Sequence, residues 1–411
     1  MQLKDYQQRA IDQVKRYLQS LDVEREKDGK SRAADVGPRD WPAEAWKSLN
    51  MLKGYRSRQN GLGEELPNFV LKIPTGGGKT LLAVKAIDLI NQHFTKRQSG
   101  LVTWIVPTTQ IYEQTLRNLR NRDHPYRQHL DMASAGRSII VEKGDRFTPG
   151  DVEQNLVVLL LMLPSAARAQ DKQLQLKFFR DSGGFEEFFP TEEQYDVHDA
   201  LLKKVPNLDT FGDEDQLYRR QVKTSLGNTL RLLNPIVILD ESHKGQSPIA
   251  RDTLQELNPS IVVELSATPS DDSNVLVDIL GIDLDREQMI KLDLHVTSEA
   301  SDDWINTLVA TVEHRNRLEK AAETYLAQFG RYIRPIALIQ VERTGADQRK
   351  EGVIHAEDVR EYLLRQGGIP ADHIAVQSSS KKELPDGDEL MSDRSNIRYI
   401  ITKSALQEGW D

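Results

Sequence analysis

Between residues 68 and 90 an apolar run, a glycine cluster and a helical stretch follow one another without a break: NFVLK, then IPTGGGK, then TLLAVKAIDLI. Few folds accept that order. Glycines lack a Cβ, so the chain can turn tightly and aim its backbone N–H groups inward at phosphate oxygens. The helix beginning near Lys79 adds the positive end of its dipole at the same point. Thr75, Gly76, Gly77 and Gly78 form the loop, the Lys79 ammonium reaches the terminal phosphates, and the Thr80 hydroxyl is a ligand for Mg²⁺. The first position of this loop pattern, ordinarily glycine, is Ile73 here.

Further buried-strand runs recur along the chain: LVTWIVPT at 101–108, NLVVLLLML at 155–163, PIVILDESH at 235–243 and IVVELSATP at 261–269. Helical stretches separate them, which predicts an α/β fold with a mostly parallel sheet covered on both faces. Residues 3–19 are patterned as an amphipathic helix with Leu3, Tyr6, Ile11, Val14 and Leu18 on its apolar side. Residues 21–60 are polar, with turn signals at DGK, VGP and NGLG and a short helix around Trp41–Leu52. The stretch 166–230 interrupts the strand pattern. Seven acids and no Lys or Arg fall within 181–200, so it is expected to be an insertion or lid outside the core. A solvated excursion and a partner-binding role both remain open for it.

The run ILDESHK ends a hydrophobic strand on two adjacent carboxylates. Such a position opens onto the ligand edge of an α/β sheet. Asp240 suits Mg²⁺, which asks for hard oxygen ligands and keeps several waters. Glu241 suits the orientation and deprotonation of an attacking water. His243 is either a surface histidine or a link from this site to the rest of the chain, and no second ligand at HExxH spacing makes it a metal site.

Composition sets outer bounds. With 411 residues, 38% hydrophobic and 28% charged, the chain is ordinary globular material with room for two or three domains. It has no cysteine, which excludes disulfides and thiolate metal sites. No apolar run reaches membrane-spanning length, so no membrane partner is expected and a cytoplasmic protein is the simple reading. The net charge is −9, so any nucleic-acid contact must be local, through a positive groove or backbone amides.

Taken together, these motifs resemble the superfamily 2 DEAD/DEAH-box (DExH) helicases, and most of all the motor subunit of type III restriction enzymes. DESH at 240–243 corresponds to the DExH box. SAT at 266–268 resembles the motif coupling hydrolysis to movement, which implies that role for Ser266 and Thr268, with His243 beside them. VPTTQIYEQT at 106–115 resembles a strand-contacting motif, implying Pro107, Thr108, Thr109 and Gln114 near nucleic acid. LKDYQ at 3–7 resembles the adenine-reading segment, with Gln7 as its reader. TKSALQEGWD at 402–411 resembles a later motif, implying Thr402 and Lys403 toward nucleic acid and Gly409 and Asp411 toward nucleotide.

The resemblance implies ATP and Mg²⁺ as cofactors and two RecA-like domains with mostly parallel sheets. The expected division is a lead-in over 1–60, a first domain over 61–285 carrying the insertion, a linker over 286–300, and a second domain over 301–411. The second domain is expected to be incomplete, with the arginine-bearing motif and any nuclease domain lying further on. The phrase EGWD favours a DNA translocase or helicase of a restriction or phage-defence system, with a DNA methyltransferase as possible partner subunit. An RNA helicase and a nucleotide-dependent switch or scaffold remain the alternatives.

Overall fold

A computed structural model gives the structure of the chain, described over residues 3–162, 184–211, 220–241, 254–289, 303–342, 353–377 and, with short gaps, 381–403. The chain divides into two compact units, Met1–Leu292 and Asp293–Asp411. The first unit opens with α1 (Asp5–Ala33) and α2 (Trp41–Lys47), followed by β1 (Asn68–Lys72) and α3 (Lys79–Ile90). Next come β2 (Gly100–Val106), α4 (Thr109–Arg120), α5 (Pro125–Ala133), β3 (Ser138–Glu142), α6 (Pro149–Gln154) and β4 (Leu156–Met162). Then follow α7 (Tyr195–Lys204), the short pair β5 (Thr210–Phe211) and β6 (Gln221–Val222), and α8 (Leu226–Leu233). The unit is completed by β7 (Ile236–Leu239), β8 (Ile261–Ser266), β9 (Val275–Asp278) and α9 (Gly281–Arg286).

Seven strands make one sheet in the order β3-β4-β2-β7-β8-β1-β9. Every adjacent pair in it is parallel. Alternate residues of each strand point to opposite faces, and both faces are buried. Phe69, Leu71, Val102, Trp104, Ile238 and Val263 face α1, α2 and α3 in one core. Leu101, Ile105, Val157, Leu159, Val237 and Val262 face a second core containing Phe147, Leu226 and Leu257. Each fully buried Leu, Ile, Val or Phe contributes about 1.5–3 kcal/mol, so two such faces dominate the stability of this unit.

Several sequence expectations need correction. The first helix does not stop near residue 19 but runs to Ala33, through the DGK that was expected to turn. Ion pairs one turn apart support the extension: Glu24–Lys27, Glu26–Lys30 and Asp28–Arg32. The insertion is not outside the core. Phe185, Phe189, Val205, Leu208, Val222, Leu226 and Leu230 pack into the second core, and Phe185 meets Phe147 edge-on at 5.2 Å. Glu186, Glu187, Glu192, Glu193 and Asp196 sit on the outside of a segment held by its aromatics. Just before the stretch expected as a linker lies α9, whose Leu284 is buried.

The lead-in is part of the first unit as well. Arg56 N–H donates to Asn274 Oδ1 at 2.7 Å and Asn274 Nδ2 donates back to Arg56 O at 2.9 Å. Arg58 Nη1 lies 2.7 Å from Glu264, a carboxylate in the middle of β8 that is only 7% exposed. A carboxylate buried among β-strand side chains is tolerated because this cation faces it.

The second unit contains α10 (Trp304–Phe329), β10 (Ala337–Gln340), α11 (Ala356–Arg365), β11 (Ile374–Gln377) and β12 (Tyr399–Thr402). Its three-stranded sheet has the order β10-β12-β11, both pairs parallel. Leu308 of α10 and Val359 and Leu363 of α11 pack with Ala337, Ile374, Val376, Tyr399 and Ile401. Among the described residues no helix is long and apolar enough to cross a membrane.

Arg58→Met should lower the unfolding free energy by about 3 kcal/mol, since it strips the cation from a buried carboxylate. A denaturation midpoint shift equivalent to less than about 0.5 kcal/mol, the ordinary size of a surface substitution, would show that Glu264 does not depend on Arg58.

Candidate functional site

All strands of the large sheet run the same way, so their C-terminal ends share one edge. Lys72, the last residue of β1, lies opposite Ser266, the last of β8. The Ile73 N–H donates to the Ser266 carbonyl at 3.0 Å. Asp240 follows β7 directly, and its N–H donates to Ile105 O of β2 at 2.9 Å. The glycine loop, the two carboxylates and the SAT segment therefore lie along one edge, although they are far apart in sequence.

The loop has the conformation its glycines permit. Gly76 and Gly78 have φ of 80° and 83°, in the left-handed region that costs residues with a Cβ about 1–2 kcal/mol. Gly78 caps α3, and Lys79 begins it. Gly77 is glycine for a different reason. A Cβ there would lie 2.6 Å from Ile73 Cγ2 and 3.0 Å from Pro74 O. Ile73, the departure from the loop pattern, is fully buried in the first core. Its branched methyl fills the space that a side chain at 77 would need.

Two segments brace this loop. From one side, Tyr6 Oη donates to Gly77 O at 3.0 Å, and Gln7 Nε2 lies 3.4 Å from the same oxygen. Gln7 Oε1 accepts from Lys4 N–H at 3.0 Å, which fixes the amide. A Cβ at Gly78 would meet Gln7 Nε2 at 2.7 Å. From the other side come Leu284, 3.5 Å from where a Gly77 Cβ would stand, and Met289 O, 4.0 Å from the equivalent point at Gly76. Arg9 pairs with Asp283 at 2.7 Å, tying α1 to α9. Gln7 was expected near the nucleotide site. Tyr6 was read only as an apolar helix position, and its hydroxyl contact with the loop went unrecognised. Its place immediately before Gln7 was the available signal.

Lys79 and Glu241 form an ion pair with both side chains about nine-tenths buried, 11% and 12% exposed. Glu241 has φ of 46°, an uncommon conformation for a residue with a side chain, found where surrounding structure enforces it. Its N–H donates to Asp240 Oδ1 at 2.9 Å. Asp240 is itself buried. The pair expected to divide metal binding from water activation is thus joined by a hydrogen bond beside Lys79, the lysine expected to meet phosphate.

No three His, Asp or Glu side chains among the described residues converge as a metal site of their own. The nearby donor set, the Thr80 hydroxyl and the Asp240 carboxylate, is hard oxygen, which suits a Mg²⁺ that retains water and takes its remaining ligands from a phosphate.

The other expected site residues are placed as follows. Ser266 is buried, and its Oγ accepts from the N–H of the exposed Thr268 at 3.1 Å. Pro107 and Thr108 follow β2, and the Thr108 hydroxyl caps α4 by accepting from Ile111 N–H at 3.4 Å. Thr109 is exposed, with its hydroxyl 3.6 Å from Met162 Sδ, and Gln114 is half-buried on α4. In the second unit Thr402 is buried at the end of β12, pairing with Gln340 and Gln377, and Lys403 is exposed. His243, Gly409 and Asp411 lie outside the described residues.

Residues 1–271 match the family described as type III restriction enzyme, res subunit. No curated protein matches the chain significantly. Among solved structures the chain is similar to a variant of S. cerevisiae Dbp5 bound to RNA and ADP BeF3, at 12% identity and a TM-score of 0.33, covering 83% of this chain and 66% of that one. It is similar to Mss116p bound to ssRNA and AMP-PNP, at 12% identity and 0.37, covering 93% and 66%. It is similar to the yeast DEAD-box splicing factor Prp28, at 12% identity and 0.24, covering 84% and 63%. The chain thus spans just under two thirds of the first of these. Scores of this size bear on neither substrate nor mechanism.

Gly77→Ala should destabilise the first unit by about 1–3 kcal/mol, the usual cost of overpacking. Ile73→Leu moves the branch away from the β-carbon, so the same substitution should cost less in an Ile73→Leu background. Strictly additive effects in the double-mutant cycle would mean that Ile73 does not set the requirement for glycine.

Proposed function

This chain belongs to the type III restriction enzyme, res subunit family of superfamily 2, and on that premise we propose that it is a nucleic-acid-dependent ATPase that drives movement along DNA. Its α/β fold, a parallel sheet with a phosphate loop directly after β1, is the RecA-like arrangement. The observation that carries the reading is the Lys79–Glu241 pair, which puts a phosphate-binding cation against a carboxylate at the strand edge.

ATP docks with its phosphates in the loop of residues 73–80, against the backbone N–H groups and the first turn of α3. Lys79 leaves Glu241 and takes the terminal phosphates. Glu241, released from the ammonium, becomes available to orient a water and accept its proton. Thr80 and Asp240 would hold Mg²⁺, which neutralises phosphate charge when bound. Gln7 stands at the loop with its amide fixed and is the residue assigned to the adenine. Ser266 and Thr268, joined by a hydrogen bond on the same edge, are assigned to sensing the phosphates and passing on the change. Thr108, Thr109, Gln114, Thr402 and Lys403 are assigned to the nucleic-acid backbone, a contact that is largely independent of sequence. A place in a restriction or phage-defence system, with a methyltransferase subunit as partner, belongs to the same proposal.

Lys79→Ala should reduce ATP turnover at least about a hundredfold, as expected for loss of a charge-stabilising donor. Wild-type turnover in that variant would remove the phosphate assignment. Glu241→Gln should still bind ATP while losing about 10²–10⁴ in turnover, the usual contribution of a general base. Failure of that variant to bind ATP would make Glu241 a structural or metal residue. ATPase activity of the full-length protein should rise more with DNA than with RNA. Greater stimulation by RNA would make it an RNA motor, and no stimulation by either would leave a nucleotide-dependent switch.

A further inference from the structure

The peptide joining Gly77 to Gly78 has a peculiar liability. It lies between two residues without side chains, so little but its hydrogen bonds decides which way the peptide plane faces. In a trans peptide the carbonyl and the following N–H point in opposite directions, and this chain has no cis peptide among the described residues. Whatever holds the Gly77 carbonyl therefore also aims the Gly78 N–H. The carbonyl is held chiefly by Tyr6, with Gln7 Nε2 a second and longer donor at 3.4 Å. The phenol donates to Gly77 O at 3.0 Å, is 1% exposed, and accepts from Gln7 Nε2 at 3.4 Å. With the carbonyl turned toward α1, the Gly78 N–H points away from α1.

We propose that Tyr6 is a positioning residue for the phosphate site: its hydroxyl locks the Gly77–Gly78 peptide with the Gly78 N–H turned into the phosphate cradle. The inference rests on the phosphate reading of residues 73–80 and deepens it. Tyr6 touches no substrate and acts only through the loop. Burial pushes its phenol above the ordinary tyrosine value, outweighing the opposite effect of the Gln7 hydrogen bond, so the proton it donates stays in place across the neutral range. The ring fixes α1 in the core with Ala10, Ile11 and Val14, while the hydroxyl serves the loop. Removing the hydroxyl alone separates the two duties. The carbonyl then keeps only the longer Gln7 contact at 3.4 Å, so the peptide can turn over more often, since neither glycine has a side chain to resist it, and one phosphate donor is lost for part of the time.

The test is Tyr6→Phe, measured by calorimetric binding of ATP and of inorganic tripolyphosphate, with the melting temperature as a check on folding. Loss of one neutral hydrogen bond predicts that both ligands bind about three- to tenfold more weakly, by the same factor, with a melting temperature close to wild type. The equal factor is the readout that a merely structural role, or a role at the adenine, would not give. Unchanged affinity for both ligands in Tyr6→Phe, or a loss confined to ATP, would overturn the assignment. If Lys79→Ala also binds both ligands as wild type does, the phosphate reading itself falls. If Lys79→Ala loses them and Tyr6→Phe does not, only the positioning role is lost.

Discussion

The structure depends on one constraint: a parallel sheet must be covered on both faces. Parallel strands cannot be joined by hairpins, so each return crosses over a face, and the crossovers supply the cover. The same requirement sends every strand in one direction and gathers their C-terminal ends on one edge. Residue 79 and residue 241 meet for that reason. The sequence between them supplies four strands of the sheet and helices that cover it, and its length does not separate the two groups in space. Chemistry that needs a phosphate loop, a metal-binding carboxylate and a base can then be drawn from several strands, each contributing only its last residue or two.

The lead-in illustrates how the cover and the site are the same material. α1 lies over one face through Val14, Tyr17 and Leu18, and its first turn ends against the glycine loop. Asn274, Asn68, Arg58 and Glu264 then fasten the segment after α2 to the base of the strands. A polar segment of this kind scores as loop or linker by composition. A few of its groups are nonetheless spent on the first unit: Arg58 on the buried Glu264 and the Arg56 backbone on the buried Asn274, as groups removed from water must be. Deleting residues 1–60 as a dispensable extension would therefore uncover a face of the sheet and unbrace the loop together.

The strands that were legible in the sequence are those buried on both sides. β1, β2, β4, β7 and β8 have continuous Val, Ile and Leu runs, and their placement follows from that alone. The two strands at the margins escaped notice. Ser138–Glu142 and Val275–Asp278 are only partly buried, and each offers an apolar run of just three residues, IIV and VLV, followed at once by an acid. The insertion misled for a related reason. Its seven acids dominate any average over 181–200, whereas its attachment depends on Phe185 and Phe189. A few aromatics outweigh many exposed charges in energy, and composition counts them equally. In the site, the residue types that bear chemistry were readable because they are rare at strand ends. The Tyr6 hydroxyl was not, because a buried tyrosine on an amphipathic helix has the same pattern whether or not its oxygen has work.

Ile73 shows why a motif is better judged by its space than by its letters. A glycine at that position would leave room near Gly77. Here a branched side chain occupies the room, and Gly77 has no freedom to be anything else. The loop is consequently packed from below by Ile73, from one side by Tyr6 and Gln7, and from the other by Leu284 and Met289. A phosphate cradle needs its N–H groups oriented before the ligand arrives, because ordering them on binding would offset part of the affinity gained. Packing supplies that order for the loop backbone, and the Lys79–Glu241 pair supplies it for the lysine. The pair also sets a threshold: a ligand must offer Lys79 a stronger anion than a carboxylate does. On the proposed reading a triphosphate, with more charge and more acceptor oxygens, meets that condition, and Glu241 is freed for its assigned role as base only when the lysine leaves it.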